Sequence, residues 1–211
     1  MSLTAIKYAR GMSRWEPNAR GRLEQAALEL YIERGFEQTT VAEIAKLAGL
    51  TERTFFRYFA DKREVLFWGA GALQELLVST VADAPDSEAP ITVISAAIAA
   101  AGAVFQERRE SALLRQTVIG ANTELQEREL IKLASLAAAM AGALRQRGVG
   151  EPGASLTAEA GIAVLKVAFE RWINETNQQD LPQLIGELFD ELKAVTAGSE
   201  PGFDFQRPLQ A

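Results

Sequence analysis

Arg53, Thr54 and Arg57 fall within about one and a half turns of the run ERTFFRYF, and together they can grip a polyanion. A guanidinium presents its donors as a planar fork that matches guanine O6 and N7, or two phosphate oxygens, in one approach. A threonine hydroxyl beside it adds a short donor or acceptor. Catalytic chemistry has far less to work with. The chain holds no histidine and no cysteine, which removes the commonest general base, thiolate nucleophiles, disulfides and the usual zinc ligands. Glu124, Glu127 and Glu129 are the carboxylates that an all-helical enzyme would use, but they sit where a helix begins. There they read more simply as charges complementing its dipole. No catalytic residue, metal or cofactor is expected.

The elements that must position the arginines lie in residues 39–62, TTVAEIAKLAGLTERTFFRYFADK. Val41, Ile44, Ala45 and Ala48 form one helical stripe. Thr40 before it and Glu43 three residues later make a capping box. Gly49 supplies the left-handed residue that ends this helix, with Leu50 packing after it. Thr51 is an N-cap for a second short helix, residues 52–59, whose Phe55 and Phe59 share one face while Arg53, Thr54 and Arg57 share the other. A short helix with an aromatic inner face and arginines outside fits a major groove, so the pattern reads as a helix-turn-helix. A plain corner of two helices with solvated arginines is the competing interpretation.

Charge divides along the chain. Residues 1–63 hold 11 Lys/Arg against 8 Asp/Glu, a net of +3, whereas residues 64–211 hold 11 against 20, a net of −9. One basic end on an acidic body implies that only that end meets phosphate. The start lacks the apolar core of a secretion signal, and no uninterrupted apolar run is long enough for a membrane span. A cytoplasmic protein with no membrane partner is expected.

Around the motif, residues 1–16 read as a flexible basic arm carrying Lys7, Arg10 and Arg14. A first helix over residues 17–34, with Pro17 in its first turn, aligns Leu23, Ala26, Ala27, Leu30 and Tyr31. Gly35 ends it, and Phe36 should plug the core of the head with Ile44, Leu50 and Phe55. Asp61 and Glu64 open a fourth helix over residues 62–81. Gly69 and Gly71 weaken its middle, either for close packing, which is the expected reason, or to let the helix bend near a ligand. Five further helical stretches follow, over residues 91–107, 111–121, 125–147, 156–177 and 181–196, with a glycine-proline break at 148–155 and no strand signal. The fold class is therefore all-α: a three-helix head at 17–63 and a helical body at 64–197, about nine helices in all. Residues 198–211 should form a disordered tail. The last two helices carry broad apolar faces, and Val164, Ala168, Trp172, Leu188, Phe189 and Leu192 are candidates for a four-helix interface between two copies. A monomer core filled from within is the alternative.

In order along residues 18–67 come AAxxL, RGF, TTV, IAxxAG, a short helix ending in YF, and a lysine at the next helix start. In this the chain resembles the TetR family of transcriptional regulators. The resemblance implies a nine-helix homodimer that binds a palindromic operator through its heads and a small effector in its body. It places Thr40 and Lys62 at phosphate contacts, and Arg53, Thr54 and Arg57 at bases or nearby backbone. Thr51, Glu52, Phe56 and Tyr58 complete the expected DNA-binding set. Phe56 stands where the family usually has a tyrosine whose hydroxyl meets phosphate, and Tyr58 where it usually has histidine. The FFRYF variant and ELQERE (residues 124–129) resemble a branch responding to acyl-CoA-like or other lipophilic compounds.

Helical position nominates Trp68, Phe105, Ile119, Met140, Leu144 and Phe169 to line an effector pocket, with Arg115 or Gln116 at its polar end. Each has core packing as the competing role. Function is thus read as a sequence-specific regulator, a repressor released from its operator by a lipophilic effector. The alternative is an all-helical ligand-binding or protein-interaction module without DNA binding.

Overall fold

The side chain of Asn18 accepts the backbone N–H of Gly21 and so starts helix α1, Ala19–Arg34. In the computed structural model, residues 18–174 and 178–198 are described. The basic arm, Pro17 and all but the first residue of the expected tail lie outside them. Nine α-helices and one 3-10 turn, with no strand, make up the described residues: α1; α2, Val41–Leu47; α3, Glu52–Tyr58; the turn Glu64–Phe67; α4, Ala70–Asp83; α5, Pro90–Gln106; α6, Arg109–Gly120; α7, Thr123–Gln146; α8, Gly153–Ile173; and α9, Leu181–Thr196. The chain divides into two compact units, Met1–Leu66 and Phe67–Ala211.

In the first unit the α1 stripe is buried as its spacing requires, and Phe36 inserts beneath it, edge-on to Tyr31 at 5.2 Å between ring centres. Ile44, Ala45 and Phe55 close this small core, while Leu50 is only partly covered.

The fourth helix departs from expectation. Asp61 does cap, accepting the N–H groups of Arg63 and Glu64. What it opens, however, is the 3-10 turn, and α4 starts only at Ala70. A Cβ at Gly69 or Gly71 would meet nothing within 4 Å, so neither glycine serves close packing. Their low helix propensity instead lets the chain break between the turn and α4. The segment Glu64–Asp83 has the length and hydropathy of a membrane span, and α5 with α6 would make another only if counted as one across their 96° bend. Core helices pass the same test, and Leu77 and Val81 of α4 are buried in the second unit's interior.

In that unit α5 packs against α4, α8 and α9, while α7 packs against α4 and α8. The alanine-rich face of α5 serves close helix contact. A Cβ on Gly102 would stand 2.5 Å from Ile185 of α9, and α8 closes on Ile94 of α5 where it carries Gly161. Helix ends are tied by side chains from other elements. Arg147 donates to the carbonyls of Ala84 and Pro85 just past α4, at 2.6 and 2.8 Å. Gln106 bonds both the N–H of Leu181 and the carboxylate of Asp180 at the start of α9. Helix α8 is shifted relative to the spacing of its apolar residues. It begins at Gly153, because the Glu151 carboxylate accepts the Ser155 N–H and hydroxyl. It ends at Ile173, where Arg109 donates to the Trp172 carbonyl at 2.9 Å.

The six residues nominated for an interface between copies must be divided. Val164, Ala168, Trp172 and Phe189 are buried by their own chain. They face inward because α8 packs against α5, α7 and α9, and α9 against α5 and α8. Leu188 and Leu192 keep part of their surface exposed.

Candidate nucleic-acid interface

Helix α2 is held by both halves of its capping box. Glu43 N–H donates to Thr40 Oγ1 at 3.3 Å, and Thr40 N–H donates to Glu43 Oε2 at 2.9 Å. At the other end Leu50 N–H reaches the Ala45 carbonyl at 2.8 Å and Gly49 N–H the Lys46 carbonyl at 3.1 Å, with Gly49 at φ 66°. That is a Schellman closure, and it sets the angle at which α3 departs. Thr51 then caps α3 by accepting the Thr54 N–H at 3.2 Å, and the two hydroxyls lie 3.0 Å apart.

The backing of α3 is rigid. Phe55 is fully buried, and its ring lies 5.4 Å from those of Phe56 and Phe59. The opposite face is open: Thr51, Glu52, Arg53, Phe56 and Arg57 are exposed, and Thr54 and Tyr58 half-buried. Arg57 donates to the Tyr58 hydroxyl at 3.1 Å, with its guanidinium 4.9 Å from the ring centre. Arg20 of α1 lies over the same ring at 5.7 Å. Tyr58 therefore joins two cations on the exposed side of the head. Arg20 was not among the residues nominated from sequence, since a contact across 38 positions leaves no local signal.

Lys62 behaves differently. Its ammonium donates to the carbonyls of Phe36, Glu37 and Thr39 at 2.8, 3.3 and 3.0 Å.

Glu43 ties the acid response of the head to its capping box. Its carboxyl is held below the ordinary range, chiefly by the Thr40 backbone N–H, then by the Thr40 hydroxyl and Arg34. Asp61 is lowered as well, first by its bond to Arg63. A depressed folded pKa contributes stability above the unfolded value, and that contribution disappears as pH falls through the folded one. Thermal unfolding of the head should therefore occur at lower temperature on the acid side of the carboxylate range. In Glu43→Gln that acid-side loss should be smaller, and an unchanged pH profile would count against the assignment.

Residues 24–67 match the family described as bacterial regulatory proteins, tetR family, and residues 88–197 match the MftR C-terminal domain. The chain belongs to the TetR family. It is accordingly a DNA-binding transcriptional regulator and not an enzyme, and α2 with α3 is its helix-turn-helix. Among its relatives is the HTH-type transcriptional regulator TcmR of Streptomyces glaucescens, 38% identical over 81 residues. That match spans 38% of this chain and only 36% of TcmR. A candidate mycofactocin biosynthesis transcriptional regulator, MftR of Mycobacterium tuberculosis, is 26% identical over 176 residues, 82% of this chain and 88% of that protein. Two solved structures share the fold. FadR of Bacillus subtilis in complex with stearoyl-CoA has a TM-score of 0.59 at 19% identity, over 82% of this chain and 96% of that one. FadR of Thermus thermophilus in complex with lauroyl-CoA has a TM-score of 0.52 at 22% identity, over 90% and 98%.

The body residues nominated for an effector fall into two groups. Ile119, Met140 and Leu144 are completely buried, and Met140 and Leu144 belong to the core of the unit. Trp68, Phe105, Arg115, Gln116 and Phe169 keep partial exposure. Phe105 stacks edge-on to Phe169 at 5.8 Å, and Phe169 lies 5.5 Å from Trp172. Arg115 pairs with Glu129 at 3.0 Å and covers the ring of Phe67 at 5.0 Å.

Proposed function

We propose that this TetR-family regulator is a cytoplasmic homodimeric repressor whose α3 enters the major groove of a palindromic operator. The observation that carries the reading is the outer face of α3. Its guanidiniums are exposed on a helix that Phe55 and Phe59 lock from behind and Thr51 caps in front. In this reading Arg53, Thr54 and Arg57 meet base edges, and Phe56 meets an apolar feature such as a thymine methyl. Thr40, Thr51, Glu52 and Tyr58 lie at the rim, where backbone contacts fix register. Two heads are needed because half-sites about 34–36 Å apart must be held at once. Exposed apolar side chains on the last two helices support pairing: Leu156 and Val167 on α8 and Val195 on α9, together with the half-covered Leu188 and Leu192 of α9. Selecting bound sequences from random duplex DNA tests this directly. Recovery of a two-fold symmetric site bound with steep salt dependence is expected, and an asymmetric or absent consensus overturns it.

The effector in this proposal has a long apolar part and an anionic end, as an acyl thioester does. Support comes from the partly exposed aromatic group of Phe105 and Phe169, and from Arg115, which the ligand's anion would share with Glu129. The shared fold of the acyl-CoA-bound FadR structures points the same way. Fatty-acyl thioesters titrated into the protein–operator complex should release DNA, and operator should weaken thioester binding by the same factor. An acyl series that leaves operator affinity and melting temperature unchanged removes this effector class and leaves the DNA-binding reading standing.

A further inference from the structure

Three backbone carbonyls that converge on one point form a cation site, and here the cation is the chain's own Lys62. An ammonium has three N–H donors and no more, and those of Lys62 go to Phe36, Glu37 and Thr39. Its nitrogen also lies 4.3 Å from the centre of the Phe36 ring. The backbone on either side is fixed too. Tyr31 donates its hydroxyl to the Lys62 carbonyl at 2.7 Å, and burial keeps that phenol protonated. Thr39, buried itself, donates its hydroxyl to the Gly35 and Leu30 carbonyls at 2.9 and 3.3 Å. The next residue, Thr40, is the N-cap of α2.

We propose that Lys62 serves DNA binding as a positioning residue: it clasps the turn between α1 and α2, so setting where Thr40 and α2 begin, and makes no phosphate contact of its own. To bind phosphate, the ammonium would have to surrender at least one carbonyl of the turn. Those carbonyls lie past the end of α1, and Lys62 bridges all three, although the Phe36 carbonyl also accepts the Thr39 N–H at 3.3 Å. The proposal rests on the operator-binding reading above and deepens it.

Two variants separate positioning from contact. Lys62→Ala removes charge and clasp together. Lys62→Arg keeps the charge and a good phosphate binder, but a planar fork cannot converge on three carbonyls around one point. With the full-length protein and a selected operator, affinity is measured across salt concentrations, and amide exchange is followed at residues 36–40 and at Phe55 and Phe59. Both variants should bind about tenfold or more weakly, with the parent's salt slope and faster exchange at residues 36–40. Slow exchange at Phe55 and Phe59 shows that the head is folded; should Lys62→Ala lose it, the arginine variant decides alone. The proposal is overturned if arginine restores parental affinity, or if alanine flattens the slope by about one unit, the signature of one lost phosphate contact. A parent that shows no salt-dependent operator binding would instead refute the operator reading itself.

Discussion

Phe189→Glu should unfold the body, not merely separate two copies. Its ring is buried in the second unit with Leu184 and Ile185 of α9 and Trp172 of α8. Truncating a buried phenylalanine costs about 3–5 kcal/mol, and a carboxylate in the same place adds the penalty of an unpaired buried charge. That sum is comparable to the whole stability of a domain, about 5–15 kcal/mol. Loss of helical signal and of a cooperative melting transition is expected. Leu192→Glu with Val195→Glu should behave otherwise, because Leu192 is half-covered and Val195 is 60% exposed. This pair should keep parental helicity, sediment as a monomer at micromolar concentration and bind operator weakly. A folded Phe189→Glu protein with parental melting would refute the burial. A Leu192→Glu/Val195→Glu protein that still sediments with the parent, as a dimer, would refute the proposed pairing face.

The two halves of the chain differ in how far their structure could be read from sequence, and the difference is physical. In the head the relevant interactions are local: Thr40 reaches three residues to Glu43, Gly49 closes its own helix, and Thr51 reaches three residues to Thr54. Such spacings are visible in a linear string. In the body, periodicity shows that α8 and α9 are amphipathic but not which neighbour their apolar stripe faces. Trp172 and Phe189 therefore look equally suited to a partner or to their own core. The ends of α8 depend on Arg109 and Glu151, and the first of these lies more than sixty residues from the carbonyl it caps. Lys62 shows the same limit inside the head. Its position suggests a free cation near DNA, yet its donors are occupied 23 to 26 residues away. Gly69 and Gly71 mark a real discontinuity, but glycine alone does not say whether a helix packs closely or breaks.

Arg53→Ala and Arg57→Ala should each weaken operator binding by about 1–3 kcal/mol if the guanidinium reads a base bidentately. The two need not behave alike. Arg53 projects from the first turn of α3 and is exposed, so its removal should relax specificity at one base position in each half-site. Arg57 also donates to Tyr58 and stacks on its ring. Its removal frees the Tyr58 hydroxyl and leaves Arg20 over that ring. Arg57→Ala should therefore lose affinity on every sequence as well as at its own base. Tyr58→Phe isolates the second contribution, since it removes the hydroxyl and keeps the ring against the Arg20 and Arg57 guanidiniums. It should weaken all duplexes alike and leave the preferred sequence unchanged. Competition binding with single-base operator variants reads both quantities at once. If Arg53→Ala and Arg57→Ala bind the selected operator and its variants as the parent does, α3 does not read the bases. If Tyr58→Phe changes the preferred sequence, the hydroxyl contributes to base recognition and the assignment of Tyr58 to the backbone rim fails.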